Sequence, residues 1–308
     1  MARSKKGNPV HGWLVLDKPV GMTSTQAVAV IKRLFDAQKA GHAGTLDPLA
    51  TGLLPIALGE ATKSCSYVVD GRKAYRFTVS WGAETTTDDT EGEITNTSDA
   101  RPTPSEIEAI LPRFIGEISQ IPPTFSAIKI NGERAYDLAR DGETPALVAR
   151  PVVIEELTVV SQPDESTTVF EAVCGKGTYV RALARDMGRL LGCYGHVSAL
   201  RRTRVGPFDE DVAQHLDELQ DASKLAAAMD LLTVKLLPVE AVMHDLTRID
   251  VSSADASRLR RGQSVLMRGR DAPIQTGLAY AMSKGHLVGV GELEKGEFRP
   301  TRVFNFGG

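Results

Sequence analysis

The stretch Gly41-His42-Ala43-Gly44-Thr45-Leu46-Asp47-Pro48-Leu49-Ala50-Thr51-Gly52 sets a single carboxylate, Asp47, among three glycines and a proline. Pro48 has a fixed φ and biases the residue before it toward extended backbone, and the glycines allow turns that other residues resist. An aspartate held in this way is positioned rather than merely solvated. Two readings fit it: a tight turn that Asp47 caps through its own backbone, or a stiff mount for a working carboxylate. The flanks, Phe35-Asp36-Ala37-Gln38 and Leu53-Leu54-Pro55-Ile56-Ala57-Leu58, read as ordinary folded structure, the second short, apolar and buried.

Outward from this loop the pattern alternates between strands and helices. Gly12 to Lys18 reads as a strand stopped by Pro19, and Thr23 or Ser24 caps a helix whose apolar residues Ala27, Val28, Ile31, Leu34 and Phe35 recur at a 3.6-residue period. Tyr75, Phe77, Val79 and Trp81 alternate with polar or small residues, which predicts a strand over Ala74 to Trp81 with one aromatic face. Ser105 is the expected cap of a helix bearing Ile107, Ile110, Leu111 and Phe114, and Asn131-Gly132 signals a tight turn. Val152 to Val160 and Thr168 to Cys174 read as strands, and Gly175-Lys176-Gly177-Thr178-Tyr179 leads into a helix through Val180, Leu183, Ala184, Met187 and Leu191. The fold class expected is α+β, a mixed and largely antiparallel sheet flanked by helices. A compositional break near Leu237 to Asp250 divides the chain into residues 1–245 and a small β-rich C-terminal domain, 246–308, with a basic helix over Ser252 to Arg261 and short strands from Gly277 to Phe304.

Composition excludes several classes. The chain has 308 residues, 42% hydrophobic and 24% charged, which is ordinary for a globular protein. No apolar run approaches the length that crosses a bilayer, and the basic N-terminus has no apolar segment behind it, so a cytoplasmic protein without membrane contact is expected. Three scattered cysteines and six histidines give neither a disulfide framework nor a metal-ligand spacing. There is no G-x-G-x-x-G and no P-loop. The net charge of −3 hides strong segregation: between Gly175 and Val205 six arginines and Lys176 face only Asp186, whereas Glu84, Asp88, Asp89, Glu91 and Glu93 form an acidic block. A polyanion meets the local field, not the net charge. The excess of arginine over lysine favours bidentate phosphate contact over a generic solvated face.

These residues together resemble the TruB family, the tRNA pseudouridine-55 synthases. Gly41 to Pro55 is similar to the family's catalytic motif. Four further segments match in the same order: Leu16-Asp17-Lys18-Pro19-Val20-Gly21-Met22-Thr23-Ser24, the strand with Tyr75, Gly175-Lys176-Gly177-Thr178-Tyr179-Val180-Arg181, and His196-Val197-Ser198-Ala199-Leu200-Arg201-Arg202. The match spans roughly residues 9 to 208, and the C-terminal piece is similar to a small PUA-like RNA-binding domain. One departure is Thr86, where members often carry an aspartate.

The resemblance implies a pseudouridine synthase fold, no cofactor, no metal, no obligate protein partner, and the T-arm stem-loop of tRNA as substrate. It assigns catalysis to Asp47, Arg181 and Tyr75. Breaking a glycosidic bond builds positive charge on the sugar, which a carboxylate stabilises or attacks; the base itself leaves and returns, so one carboxylate suffices. An arginine beside Asp47 would keep it ionised and oriented, although Arg181 also reads as one more phosphate-binding arginine. The target uridine must be flipped out of its stack. The resemblance gives Tyr75 the face of the flipped base, His42 the space that the base vacates, and Tyr179 and Leu200 an apolar wall; read by alternation alone, Tyr75 is a core residue. Lys18, Lys63, Arg201 and Arg202 are expected at the RNA backbone. Two other classes compete: a non-catalytic protein that binds or folds tRNA, and a hydrolase that would need a second rigidly mounted carboxylate, for which Asp17 is the rival.

Overall fold

The computed structural model describes residues 7–126, 128–130, 133–134, 147–267 and 276–306. The strands Gly12–Lys18 and Thr51–Leu58 pair antiparallel and are buried on both faces, as their nearly unbroken apolar runs require. They belong to a ten-stranded sheet. Along its main path run Gln214–His215, Gly12–Lys18, Thr51–Leu58, Gly195–Val205, Lys73–Trp81, Thr167–Cys174, Arg150–Asp164 and Gly116–Gln120; Ala40–His42 and Phe208–Asp209 pair at its side. Two pairings are parallel, Gly12–Lys18 with Gln214–His215 and Thr51–Leu58 with Gly195–Val205, and the others are antiparallel. The mixed α+β class expected from the pattern is the one observed.

The helices Ser24–Leu34 and Val180–Leu190 cover one face, where Ile31, Phe35, Leu54, Phe77, Leu183 and Met187 share one core. Phe77 stacks on Phe170 at 5.4 Å, so most of the aromatic stripe over Tyr75 to Trp81 is core, and Tyr75 at its end packs against it only partly buried. Thr23 caps the first helix with a full capping box closed by Gln26, which leaves Ser24 free for a longer-range task. The cap expected at Ser105 belongs instead to Thr103. Pro104 occupies the first helical position and Glu106 closes the box, the arrangement a Thr-Pro-x-Glu start prefers. Asn131-Gly132 lies outside the described residues; the short strands on either side, Lys129–Ile130 and Glu133–Arg134, pair antiparallel.

A second sheet follows, ordered Thr247–Asp250, Gly277–Ser283, His286–Glu294, Glu297–Val303 and Val265–Leu266, with the helix Ser253–Arg260 seating Ala256 and Leu259 on it. The two sheets share a core: Trp13, Leu53, Val205 and Phe208 of the large sheet pack with Met243, Met282, Val290 and Phe304.

Candidate active site

Asp47 stands in a cleft of about 320 Å³ where the ends of the strands Lys73–Trp81 and Gly195–Val205 meet the start of the helix Val180–Leu190. The loop that carries it is fastened on every side. Arg202 donates from Nη2 to the Gly44 carbonyl (3.0 Å), from Nη1 to the Thr45 carbonyl (3.3 Å) and from Nε to the Leu53 carbonyl (2.8 Å). Ser24 Oγ donates to the Leu46 carbonyl and accepts from the Leu46 amide, both at 2.9 Å. The Pro48 carbonyl accepts from the Gly21 amide (2.8 Å) and from Lys18 Nζ (3.3 Å), and Lys18 also donates to the carbonyls of Pro19 and Met22. Residues 44, 45, 46 and 48 are thus held by groups from the segments Lys18–Ser24 and Arg202, and Asp47 projects from a frame that cannot yield without breaking several hydrogen bonds.

Among the described residues the carboxylate pairs with one cation. Arg181 Nη2 lies 3.0 Å from Asp47 Oδ2, with Arg181 5% and Asp47 37% exposed at the side chain, so a buried guanidinium presents a reachable carboxylate to the cleft. Arg181 is aimed by the carbonyls of Thr87 (2.7 Å) and Phe125 (2.9 Å) and by Asp89 Oδ2 (3.5 Å). Asp89 is 1% exposed, and its other oxygen accepts from Thr87 Oγ1 and the Glu91 amide. Sequence reasoning missed this support. The signal was the spacing of Arg181, Arg185 and Arg189, one stripe of a helix, opposite a run of carboxylates. Arg185 pairs with Asp88 (2.9 Å) and Arg189 with Glu84 through two bonds of 2.7 Å. Burial nevertheless pushes Asp88 up to about 6 against the pull of Arg185 and Arg181.

This changes the reading of the arginine-rich block. Its charge is largely answered from within: Arg181, Arg185 and Arg189 by the acidic run, and Arg201 by Asp17 (2.8 Å) and Glu210 (2.7 Å). Arg202 is 1% exposed and Lys18 is fully buried, each bonded to backbone carbonyls, so neither presents a cation to an RNA backbone. Lys63 binds Glu60 (2.6 Å) and the Val303 carbonyl (3.0 Å) and sits 5.8 Å over the Phe304 ring, at the junction of the two sheets rather than at the cleft. Arg201 stays partly exposed but doubly paired. The charges that looked segregated along the chain are neighbours in space.

Tyr75, Tyr179 and Leu200 all line the cleft with Asp47 and Arg181. Burial pushes the Tyr75 phenol up, opposed by the Arg202 guanidinium that donates a hydrogen bond to it. Tyr179 is likewise pushed up by burial. Gln120 fastens the Tyr179 backbone, accepting from its amide (2.9 Å) and donating to its carbonyl (3.2 Å). His42, on the short strand Ala40–His42, is half-buried and lies off the cleft lining. Lys73 lines the cleft and was not singled out from the sequence, although it stands two residues before Tyr75 on the same strand face. It donates to the carbonyls of Val69 and Gly71, and burial, with the Arg202 charge behind it, lowers its pKa. Burial likewise brings Lys18 down to about 8, with Asp47 the main opposing influence.

Residues 32–180 match the family model described as TruB family pseudouridylate synthase (N terminal domain), and residues 181–244 match the tRNA pseudouridylate synthase B C-terminal domain. The second match covers the Arg181 helix and the Arg202 strand and ends before the five-stranded sheet. The chain is 63% identical to tRNA pseudouridine synthase B of Rhodopseudomonas palustris, covering 97% of this chain and 82% of that protein. It is 60% identical to the protein of the same name from Bradyrhizobium diazoefficiens, covering 100% of this chain and 91% of that one. Its fold is similar to a chain in the crystal structure of a Cbf5-Nop10-Gar1 complex, with a TM-score of 0.72, 25% identity, and coverage of 97% and 86% of the two chains. No helix among the described residues is long and apolar enough to cross a membrane.

Proposed function

The chain belongs to the TruB family of pseudouridylate synthases, and from that premise we propose that it converts uridine to pseudouridine at position 55, in the T-arm of tRNA, with Asp47 as the carboxylate that works on the glycosidic bond. It is an enzyme, an isomerase acting on tRNA. The N1–C1′ bond breaks, the uracil turns, C5 joins C1′, the C5 proton leaves and N1 gains a proton. Electrons balance with no oxidant or reductant. The observation that carries the proposal is the reachable Asp47 carboxylate held 3.0 Å from a buried Arg181 on a loop tied down at residues 44, 45, 46 and 48. A carboxylate so fixed needs no reorganisation when positive charge grows at C1′. Direct attack at C1′, attack at C6 and elimination all require it at that place.

The remaining residues take roles in the same frame. Tyr75 packs on the face of the flipped base, Tyr179 and Leu200 wall the pocket against water, and His42 fills the space the base leaves in the RNA. Residues 1–245 form the isomerase, and 246–308, as a PUA-like unit, add RNA contact. The work belongs to the cytoplasm, where tRNA is the partner.

The test is tritium release from uridine labelled at C5 in an unmodified tRNA transcript. The intact protein releases tritium, and Asp47→Asn releases none while its tRNA affinity is retained. Undiminished release by Asp47→Asn would remove Asp47 from the chemistry.

A further inference from the structure

Two buried cations, Lys73 and Arg202, line the cleft, and a third, Lys18, holds the Asp47 loop. Lys18, Lys73 and Arg202 are 0%, 7% and 1% exposed, and none of them belongs to an ion pair among the described residues. Lys18 uses all three donors on carbonyls, and its ammonium holds the loop. Lys73 differs. Its two bonds, to the carbonyls of Val69 and Gly71, leave one N–H of the ammonium unassigned. Arg202 stands beside it, because the strands pair with Tyr75 opposite Arg202 and Lys73 opposite Val205. Both cations line the cleft, burial lowers the pKa of each, and at Lys73 the Arg202 charge adds to the lowering. Two desolvated like charges with no carboxylate at ion-pair distance among the described residues are a costly arrangement for a fold to keep. Such an arrangement suits a site where an anion appears only during a reaction.

The isomerisation supplies one. When N1–C1′ breaks, its electron pair stays with the base, and the uracil becomes an anion delocalised over its ring oxygens and nitrogens. If Asp47 attacks C6 instead, the pair moves to the O4 enolate. Either path places negative charge on the ring beside Tyr75, which follows Lys73 by two residues on its strand and lies opposite Arg202. Resting on the reading that this cleft isomerises uridine, we propose that Lys73, backed by Arg202, is a catalytic residue that stabilises the anionic uracil between departure and return. A phosphate is the weaker occupant, since it carries its charge at the polynucleotide backbone throughout, whereas these cations sit on sheet strands and are only 7% and 1% exposed. The proton balance is untouched: Lys73 remains an ammonium, and the C5 proton is still lost in the later step.

The experiment compares two T-arm stem-loop RNAs carrying uridine or 5-fluorouridine at the target position, under single turnover with saturating protein, each rate read as loss of the N-linked nucleoside after nuclease digestion and chromatography, because a C5 that bears fluorine has no proton to lose after it joins C1′. Fluorine withdraws charge from the ring, so the 5-fluoro base leaves more easily and depends less on an external cation. Lys73→Gln offers an amide to the same two carbonyls but no charge. It should slow uridine on the order of 10²-fold, the scale of losing one preorganised donor, and slow 5-fluorouridine by distinctly less, with RNA affinity unchanged. Lys73→Arg keeps the charge and should keep the native ratio of the two rates, so the proposal remains testable even where Lys73→Gln folds poorly. Equal slowing of both RNAs by Lys73→Gln, an altered ratio in Lys73→Arg, or weakened affinity with an intact rate would each overturn the proposal. Failure of the native protein to convert uridine at all would instead overturn the isomerase reading, before any variant is compared.

Discussion

At Gly52 the backbone φ is +92°, and a Cβ would stand 2.2 Å from the Arg202 carbonyl oxygen. The close approach follows from parallel pairing, in which Gly52 lies opposite Arg202. Gly44 is also left-handed, at φ +94°, with the Arg202 guanidinium 3.3 Å from where its Cβ would be, while Gly41 has open space. Gly52→Ala should therefore cost at least about 1–3 kcal/mol from strain alone, more once the strands are pushed apart. It should appear as a lower urea midpoint at unchanged m and as a slower isomerisation, because Arg202 retreats from the Gly44 and Thr45 carbonyls. Gly41→Ala should change neither. In the sequence the three glycines look alike. That two are demanded and one is not depends on a strand far along the chain, which local spacing cannot reveal. Asp47 was legible because Pro48 and the motif around it are local. Lys73 was not, because a lysine in a strand announces nothing until its partners are seen to be carbonyls.

Among the elements, the segment Lys18–Ser24 acts as a bracket for the Asp47 loop, and its Lys18 titrates within reach of ordinary measurement. With its pKa brought from 10.5 down to about 8, the folded state prefers the neutral amine. The contribution of this group to stability is therefore complete above 10.5 and is lost as pH falls through about 8. Activity should move the other way, since the neutral amine has one donor fewer for the carbonyls of Pro19, Met22 and Pro48. The expected result is a single-turnover rate that falls above pH of about 8, while stability in urea gains a rising component over the same range. In Lys18→Arg, whose charge does not titrate there, both trends should vanish; an alkaline limb that persists in the variant would assign it to another group. Most elements could be read from periodicity. The stripe Arg181, Arg185 and Arg189 was visible too, but its meaning inverted: the acidic run Glu84 to Asp89, remote in the chain, turns a surface made for phosphate into an internal zipper.

Over the whole molecule, the shared core of Trp13, Phe208, Met282 and Phe304 ties the two sheets into one unit, and Glu60 adds a polar latch by accepting from Lys63 (2.6 Å) and the Asn305 amide (2.7 Å). A single cooperative unfolding transition is expected by calorimetry. Lys63→Gln should lower stability by about 1 kcal/mol, the net worth of such a bond, and leave the salt dependence of tRNA binding unchanged; a flattened dependence would return Lys63 to the RNA. The packing between the two sheets was not readable, because a residue such as Trp13 gives no sign of which sheet will cover it. The parallel pairing of Thr51 with Arg201 has a consequence in time. Arg202 closes on Leu53 across 149 residues, which a ribosome working at about 5–20 residues per second takes roughly 7–30 s to add. Through that interval the loop that carries the aspartate has its bonds to Lys18, Gly21 and Ser24 but lacks those from Arg202 to residues 44 and 45. The chain therefore cannot modify tRNA during its own synthesis until most of it has emerged.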